Sequence, residues 1–466
     1  MSRTVIRGGL VVTASDEMHA DVLVDGGRIA ALAAHDSDEA AGWTAARTVD
    51  ATGKYVIPGG VDAHTHMEMP FGGTYAADTF ETGTRAAAWG GTTTIVDFAI
   101  QSVGRPLREG LDAWYAKADG NCAIDYAFHM ILADVNESSL KEMDLLVGEG
   151  ITSFKLFMAY PGVFYSDDGQ ILRAMQRAES NGGLIMMHAE NGIAIDVLVE
   201  QALAAGRTDP RHHGDVRKVA LEAEATHRAI QLARVAGSPL YVVHVSADEA
   251  VAEIAAARHK GQPVFGETCP QYLFLSTDNL AEPDFEGAKY VCSTPLRPRE
   301  HQEVLWRGLR NNELQVVSTD HCPFCFSGQK EMGRGDFSKI PNGMPGVENR
   351  MDLLHQAVVD GRISRRRWIE IACASPARMF GLYPKKGTIA PGADADIVVY
   401  DPAAEQTVSA ETHHMNVDYS AYEGKRLTGR VETVLSRGEV VIDNRTYTGR
   451  TGHGIYTPRA TCQYLN

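Results

Sequence analysis

His64 and His66 stand two residues apart at the end of an apolar run, VDAHTH. In an extended strand, residues i and i+2 share a face, so both imidazoles are expected to point the same way. Comparable apolar runs carry other ionisable residues at or near their ends: Lys155 in TSFKLFMAY, His188 in LIMMHAE, His244 in LYVVHVS and Asp320 in LQVVSTD. Any one of these histidines, taken alone, fits a hydrogen-bonded core residue better than a ligand. Together, four imidazoles and a carboxylate suit zinc or a related first-row divalent metal. They also exceed the roughly three protein ligands that one catalytic ion uses, so two metals are expected. Lys155 is the outlier, because a buried ammonium without a partner is costly and two dications would repel it. If its amine combines with CO2, the carbamate is an anion whose two oxygens can bridge both metals. With Asp320 and a bridging hydroxide, such a site keeps a net charge of about +1 and can polarise a neutral carbonyl.

Directly after Asp320 comes HCPFC, in which Cys322 and Cys325 form a C-x-x-C pair. No second pair completes a structural zinc site, and a redox dithiol needs a thioredoxin-like setting. The cysteines are therefore expected to be loop packing, with Asp320 as the chemical residue and His321 behind it.

These residues need a scaffold that brings strand ends together. Eight short apolar runs lie between about Pro58 and Tyr383: VDAHTH, TTIVDFA, DYAFHMIL, TSFKLFMAY, LIMMHAE, LYVVHVS, PVFGETC and LQVVSTD. Helix-period segments separate them, among them DVRKVALEAEATHRAIQLARVAG, which reads as one amphipathic helix stopped by Gly237. Apolar runs alternating with helices imply parallel strands buried on both faces. Eight units fit a (β/α)8 barrel, whose active site forms at the C-terminal rim of the strands. A doubly wound sheet would call for a G-x-G-x-x-G loop after the first strand, and none is present. Both ends of the chain instead alternate polar and apolar residues between Gly, Asp and Asn turns, as half-exposed antiparallel strands do. The expected division is therefore 1–57 plus 384–466 as one small β-domain with a tail, and 58–383 as the barrel. The basic run SRRRW at 364–368 is expected to be a solvated helix face.

Composition sets the outer limits. The chain has 466 residues and a formal net charge of −16, which disfavours a nucleic-acid partner. No stretch has the apolar length of a membrane span, and the polar, alternating N-terminus does not read as a signal peptide. Seven scattered cysteines without framework spacing fit a cytoplasmic protein with reduced thiols.

Taken together, PGGVDAHTH, GITSFKLFMAY, MMHAEN, VVHVS, STDHCPF and IPNGMPGVE resemble the hydantoinase/dihydropyrimidinase family, cyclic amidases of the amidohydrolase superfamily. The resemblance covers essentially the whole chain. It implies a metal-dependent barrel, a β-sandwich built from both termini, and a homotetramer. It also implies two divalent metals, most simply Zn2+ with Mn2+ or Co2+ as alternatives. His64 and His66 would hold the more buried ion, His188 and His244 the other, and carbamylated Lys155 the bridge. Asp320 would bind metal and move protons. Tyr160 would hydrogen-bond the developing oxyanion, and Ser293 and Asn342 would hold the substrate's amide groups, largely through their backbones. Thr294 departs from the family, which often carries proline there.

The implied reaction is ring opening of a 5,6-dihydropyrimidine or a 5-substituted hydantoin to an N-carbamoyl amino acid. Two related hydrolases are weighed against it. A dihydroorotase would need to bind a carboxylate just after the H-x-H, where Met67 and Glu68 stand, and an acid there would repel one. An allantoinase takes a hydantoin with a polar substituent, whereas Met67, Met69, Phe71, Phe157 and Phe164 are expected to make the mouth apolar. A third alternative, a non-enzymatic scaffold of the collapsin response mediator type, would lack metal ligands, and all six positions are filled here.

Overall fold

The eight apolar runs form eight strands of one parallel sheet. They are β1 (Gly60–Thr65), β2 (Thr92–Ile100), β3 (Asp125–Ile131), β4 (Ser153–Phe157), β5 (Leu184–His188), β6 (Leu240–Val242), β7 (Val264–Thr268) and β8 (Val316–Val317). The computed structural model describes residues 3–465. Strand order follows chain order from β1 to β8, as successive β/α units require. Every residue of β3 to β7 is buried, which is why these runs show no polar alternation. Parallel register sets Ile131 beside Lys155 and Phe157 beside His188, so consecutive strands deliver their side chains at similar heights.

Closure of the barrel is narrow. β8 has only two residues, and it meets β1 through a single bridge, Thr65 to His321. His66 N donates to His321 O at 2.8 Å, and His321 N donates to His64 O at 3.3 Å. Below them the buried Asp62 carboxylate accepts from Thr319 N and Thr319 Oγ1. The seam is thus made by the neighbours of the metal-ligand candidates themselves.

The remaining strands make one nine-stranded sheet. N-terminal strands Thr4–Val12, Glu17–Asp25, Arg28–Ala34, Arg47–Asp50 and Tyr55–Pro58 join C-terminal strands Ile397–Thr407, Arg426–Ser436, Glu439–Asp443 and Thr446–Tyr447. The two sets meet where Tyr55–Pro58 runs antiparallel to Ile397–Tyr400. The fold is a (β/α)8 barrel with a smaller β-sandwich contributed by both ends of the chain. Beyond Tyr447 the chain returns to the barrel: Tyr126 N donates to Ile455 O, and Thr457 N to Tyr126 O.

Two expectations need correction. The single helix expected after Asp215 is two, Arg211–Val216 and Val219–Ala236, broken where the Arg217 carbonyl accepts from Arg297. The stop at Gly237 holds, with φ at 72° in the left-handed region that glycine tolerates. SRRRW is a solvated face only in part: Ser364 and Arg366 are exposed, but its arginines are also engaged. Arg365 reaches Glu17 and Tyr55, Arg366 reaches the Ser15 carbonyl, and Arg367 reaches the Leu309 and Leu314 carbonyls. Its charges tie the nine-stranded sheet to the barrel's helical layer. Among the described residues no helix is long and apolar enough to cross a membrane.

A buried cation anchors the same junction. Lys386 Nζ lies 2.6 Å from Asp125 on β3, 2.8 Å from Asp396 and 3.0 Å from Asp394. Burial alone would lower its pKa, but the three carboxylates outweigh burial and hold it well above the ordinary lysine range. Replacing it leaves buried carboxylates without their counter-ion. Lys386→Met is expected to cost about 3–5 kcal/mol, read as a lower denaturation midpoint by circular dichroism; an unchanged midpoint would contradict this account.

Candidate metal centre

Side chains from five strands converge at the C-terminal rim. His64 Nε2 lies 2.9 Å from Lys155 Nζ and 3.2 Å from Asp320 Oδ1. His66 Nε2 is 3.3 Å from the same Asp320 oxygen. His64, His66 and Asp320 each offer a ligand atom, and these lie within 4.8 Å of one another. On the other side, His188 Nδ1 and His244 Nε2 face each other at 2.9 Å. Phe98 floors the site, stacked on His66 with its ring beneath Lys155 Nζ.

Hydrogen bonds behind the imidazoles decide which nitrogen faces inward. His64 Nδ1 bonds Glu267, so Nε2 presents its lone pair to the centre. His188 Nε2 bonds Glu190 at 2.8 Å, which frees Nδ1. Glu267 also accepts from the His244 amide at 3.1 Å and from the Tyr241 hydroxyl at 2.9 Å, so one carboxylate fixes two of the four histidines. Burial pushes the pKa values of His64, His66 and His244 down, leaving these imidazoles neutral near pH 7 with lone pairs available. Burial acts upward on Glu190, yet its bond to His188 and the Arg217 charge bring it down to about 2.

Lone pairs and a carboxylate that face one another repel unless a cation lies between them. The donor set, four imidazole nitrogens and a carboxylate with rear hydrogen bonds on His64 and His188, therefore fits divalent metal. Burial lowers the Lys155 pKa, which raises the share of free amine at neutral pH.

The backbone here is strained. Tyr160, His244 and Asp320 have φ of 61°, 40° and 52°. Each such non-glycine residue costs roughly 1–3 kcal/mol and persists only where its surroundings enforce it. The strand ladder stops at Val242, and the turn at His244 is held by Glu267 on its amide and by Thr294 Oγ1 on its carbonyl at 3.0 Å. Thr294 thus contributes a hydroxyl that proline lacks, and the Ser293–Thr294 peptide is cis.

Above the ligands is a cavity of about 40 Å³, also lined by Tyr160, Ser293 and Asn342. That is room for about three or four waters, so any bulky substituent must project outward. An adjoining cleft of about 910 Å³ shares Phe71, Tyr160 and Asn342 with it. Asn342 Nδ2 donates to Ser293 Oγ at 3.1 Å. Burial pushes the Tyr160 phenol up to about 12, so it remains a donor at neutral pH.

The structure brings His66, Lys155, His188, His244, Asp320, Tyr160, Ser293 and Asn342 around one cavity, with His64 beneath. Met69, Phe71, Phe157 and Phe164 supply its apolar wall. Met67 does not. It packs under the helix Phe80–Trp89, where a Cβ at Gly83 would collide with its sulfur. Glu68 is also outside the cavity wall. Its φ is 52° and its carboxylate accepts from Phe80 N, so the charge argument drawn from it does not apply. His321 bonds Asp78 at 2.9 Å and accepts from Gly346 N and Val347 N, holding loops rather than the Asp320 carboxylate. All seven cysteines are free, and burial raises the Cys322 and Cys325 thiols, as packing residues. Glu267 and Glu190 were missed in the sequence; the signal for Glu267 was an acid inside an otherwise apolar strand run.

An amidohydrolase family match spans residues 55–441. The chain is 84% identical over 464 residues to a D-hydantoinase of Streptomyces coelicolor, covering 100% of this chain and 99% of that protein. It is 51% identical to a D-hydantoinase of Geobacillus stearothermophilus, covering 98% and 96%. A crystal structure of dihydropyrimidinase from Brevibacillus agri superposes with a TM-score of 0.97 at 51% identity, covering 98% and 99%. The chain belongs to the amidohydrolase family, which implies a divalent metal centre, and a His–His–Asp cluster is present. Within that family it is a member of the hydantoinase/dihydropyrimidinase group.

Glu267→Gln removes the charge that orients His64 and His244. Metal affinity is expected to fall about 10–100-fold, measured by competition with a chelator; an unchanged affinity would show that Glu267 does not support the ligands.

Proposed function

We propose that this protein hydrolyses cyclic amides, opening 5,6-dihydropyrimidines and/or 5-substituted hydantoins to N-carbamoyl amino acids. The observation that carries this reading is the convergence of inward-facing His64, His66, His188 and His244 nitrogens with Asp320 and Lys155 beneath one small cavity. Its relatives, named D-hydantoinase and dihydropyrimidinase, support it. No ligand position is lost, which argues against a non-enzymatic scaffold, and the cavity's apolar wall argues against allantoin.

In this reading His64 and His66 would hold one divalent ion, His188 and His244 would hold a second, and Lys155, as its CO2 adduct, would supply an anionic ligand to both. Zinc is the first choice, with manganese or cobalt as alternatives. When bound, two such ions supply deprotonated water at neutral pH and polarise the scissile carbonyl. Asp320 takes up the proton released as the ring carbon is attacked and returns it to the leaving nitrogen, acting as base and then acid. The Tyr160 phenol donates to the oxyanion that develops on that carbon. Ser293 and Asn342 grip the ring's amide groups, and the aromatic wall excludes water from the departing amide.

The same reading treats 58–383 as the catalytic barrel domain and 1–57 with 384–466 as the second domain with its tail. It places the protein in the cytoplasm, supported by seven unpaired thiols, as a homotetramer, supported by the family resemblance.

Lys155→Ala is expected to lose metal and turnover together, and metal loading of the apo wild type to require bicarbonate. A Lys155→Ala protein with full metal content and normal turnover would defeat the bridging role. Tyr160→Phe should keep its metal and lose about 10²–10³ in kcat; undiminished kcat would remove the phenol from the mechanism. A panel of dihydrouracil, D- and L-5-substituted hydantoins, allantoin and dihydroorotate, followed by direct assay of ring opening, tests the activity. Dihydroorotate or allantoin as best substrate would overturn the assignment.

A further inference from the structure

Lys330 is fully buried and no carboxylate pairs with it among the described residues. It sits in the single turn Lys330–Gly333, where the loop that begins at Cys322 ends. Its Nζ donates to three carbonyls: Val291 at 2.9 Å, Pro341 at 2.7 Å and Gly343 at 2.7 Å. Val291 lies two residues before Ser293, and Pro341 and Gly343 flank Asn342. The same two segments are also joined by Gly343 N to Val291 O at 3.0 Å and by the Asn342–Ser293 side-chain bond. Lys330 is thus the tie between the two stretches of backbone that border the cavity; burial lowers its pKa to about 7, and the three carbonyls favour the ammonium form.

Packing alone does not explain it. Three convergent carbonyls need three donors, which an ammonium has and a neutral amine lacks. A buried cation without an anion is costly, and an apolar side chain of equal length would fill the space at lower cost. What the cation adds is polarisation. An ammonium on the Pro341 carbonyl strengthens the N–H of the same peptide, which belongs to Asn342. That N–H has no acceptor among the described residues, although Asn342 lies in the cavity wall. The segment has little freedom to drift, since at Gly343, with φ at 151°, a Cβ would overlap the Cys322 carbonyl.

We infer that Lys330 is a positioning residue that sets the spacing of the Ser293 and Asn342 backbones gripping the substrate's ring amides, and the donor strength of the Asn342 N–H. This rests on the reading of those two residues as amide-binding. The test uses the metal-loaded enzyme, a 5-substituted hydantoin and its ring-N-methylated form. In Lys330→Met, metal content is expected to match the wild type, KM to rise about tenfold, and kcat to stay within about threefold. The wild type's discrimination against the N-methylated ring should shrink in the variant, a change that simple loss of stability would not produce. A wild-type KM in Lys330→Met overturns the inference alone, and loss of metal with activity overturns it by making Lys330 a support of the metal centre. A wild-type enzyme indifferent to N-methylation overturns the amide-binding reading and this inference with it. If Lys330→Met fails to fold, Lys330→Gln, which still serves two carbonyls, carries the same comparison. A raised KM with metal and kcat retained supports the role; a wild-type KM overturns it.

Discussion

The barrel closes through one bridge, and the metal-ligand candidates lie on it. Thr65 and His321 are the bridged pair, His64 and His66 flank the first, and Asp320 precedes the second. The hydrogen bonds that join the last strand to the first therefore also set the spacing of three ligand atoms. Asp62 below the seam, and Asp97 beside it on Thr65 Oγ1 and Met67 N, make the same turn rigid from two sides. A longer β8 with a regular ladder would place residue 320 within the strand. Ending the strand at Val317 lets Asp320 adopt a φ of 52°.

The same logic extends outward from the seam. Acceptors that face one another need cations in front and donors or anions behind, and each shell has its own source. Glu267, at the end of β7, reaches across to His64 on β1 and to the His244 backbone after β6. Glu190 does the same for His188, and Arg217 lies 3.6 Å from Glu190 in turn. The strain at His244 is held by Glu267 on its amide and Thr294 on its carbonyl, because a residue in the left-handed region persists where fixed partners engage its N–H and C=O.

Much of this architecture is legible in the residues because barrel strands follow simple rules. Apolar runs mark strands, and ionisable residues at run ends mark the rim, which is why His64, His66, Lys155, His188, His244 and Asp320 can be picked out together. The legibility stops where periodicity stops. Two-residue alternation fails after His66, so Met67 turns to the core and Glu68 to a helix N-terminus although both adjoin the site. Glu267 shows only as an acid in an apolar run, since its purpose depends on strands far away in the chain. SRRRW looks like a solvated face because its partners, Glu17, Ser15 and the Leu309 and Leu314 carbonyls, lie in other segments.

The stretch after Asp320 shows how far a local motif can mislead. C-x-x-C suggests metal or redox chemistry, yet both thiols are held protonated by burial, and the Cys322 backbone serves instead as a wall against Gly343. Cys322 N donates to Met344 O, and Cys325 O accepts from Lys330 N. The loop thus starts beside Asp320, a candidate metal ligand, and ends at the lysine that ties the Ser293 and Asn342 segments. In the proposed function its two ends reach the two halves of one reaction: the group assigned to move protons and the backbone assigned to grip the ring. Such a loop needs a rigid interior more than reactive sulfur, and the buried Cys322 with the half-buried Cys325 provides that.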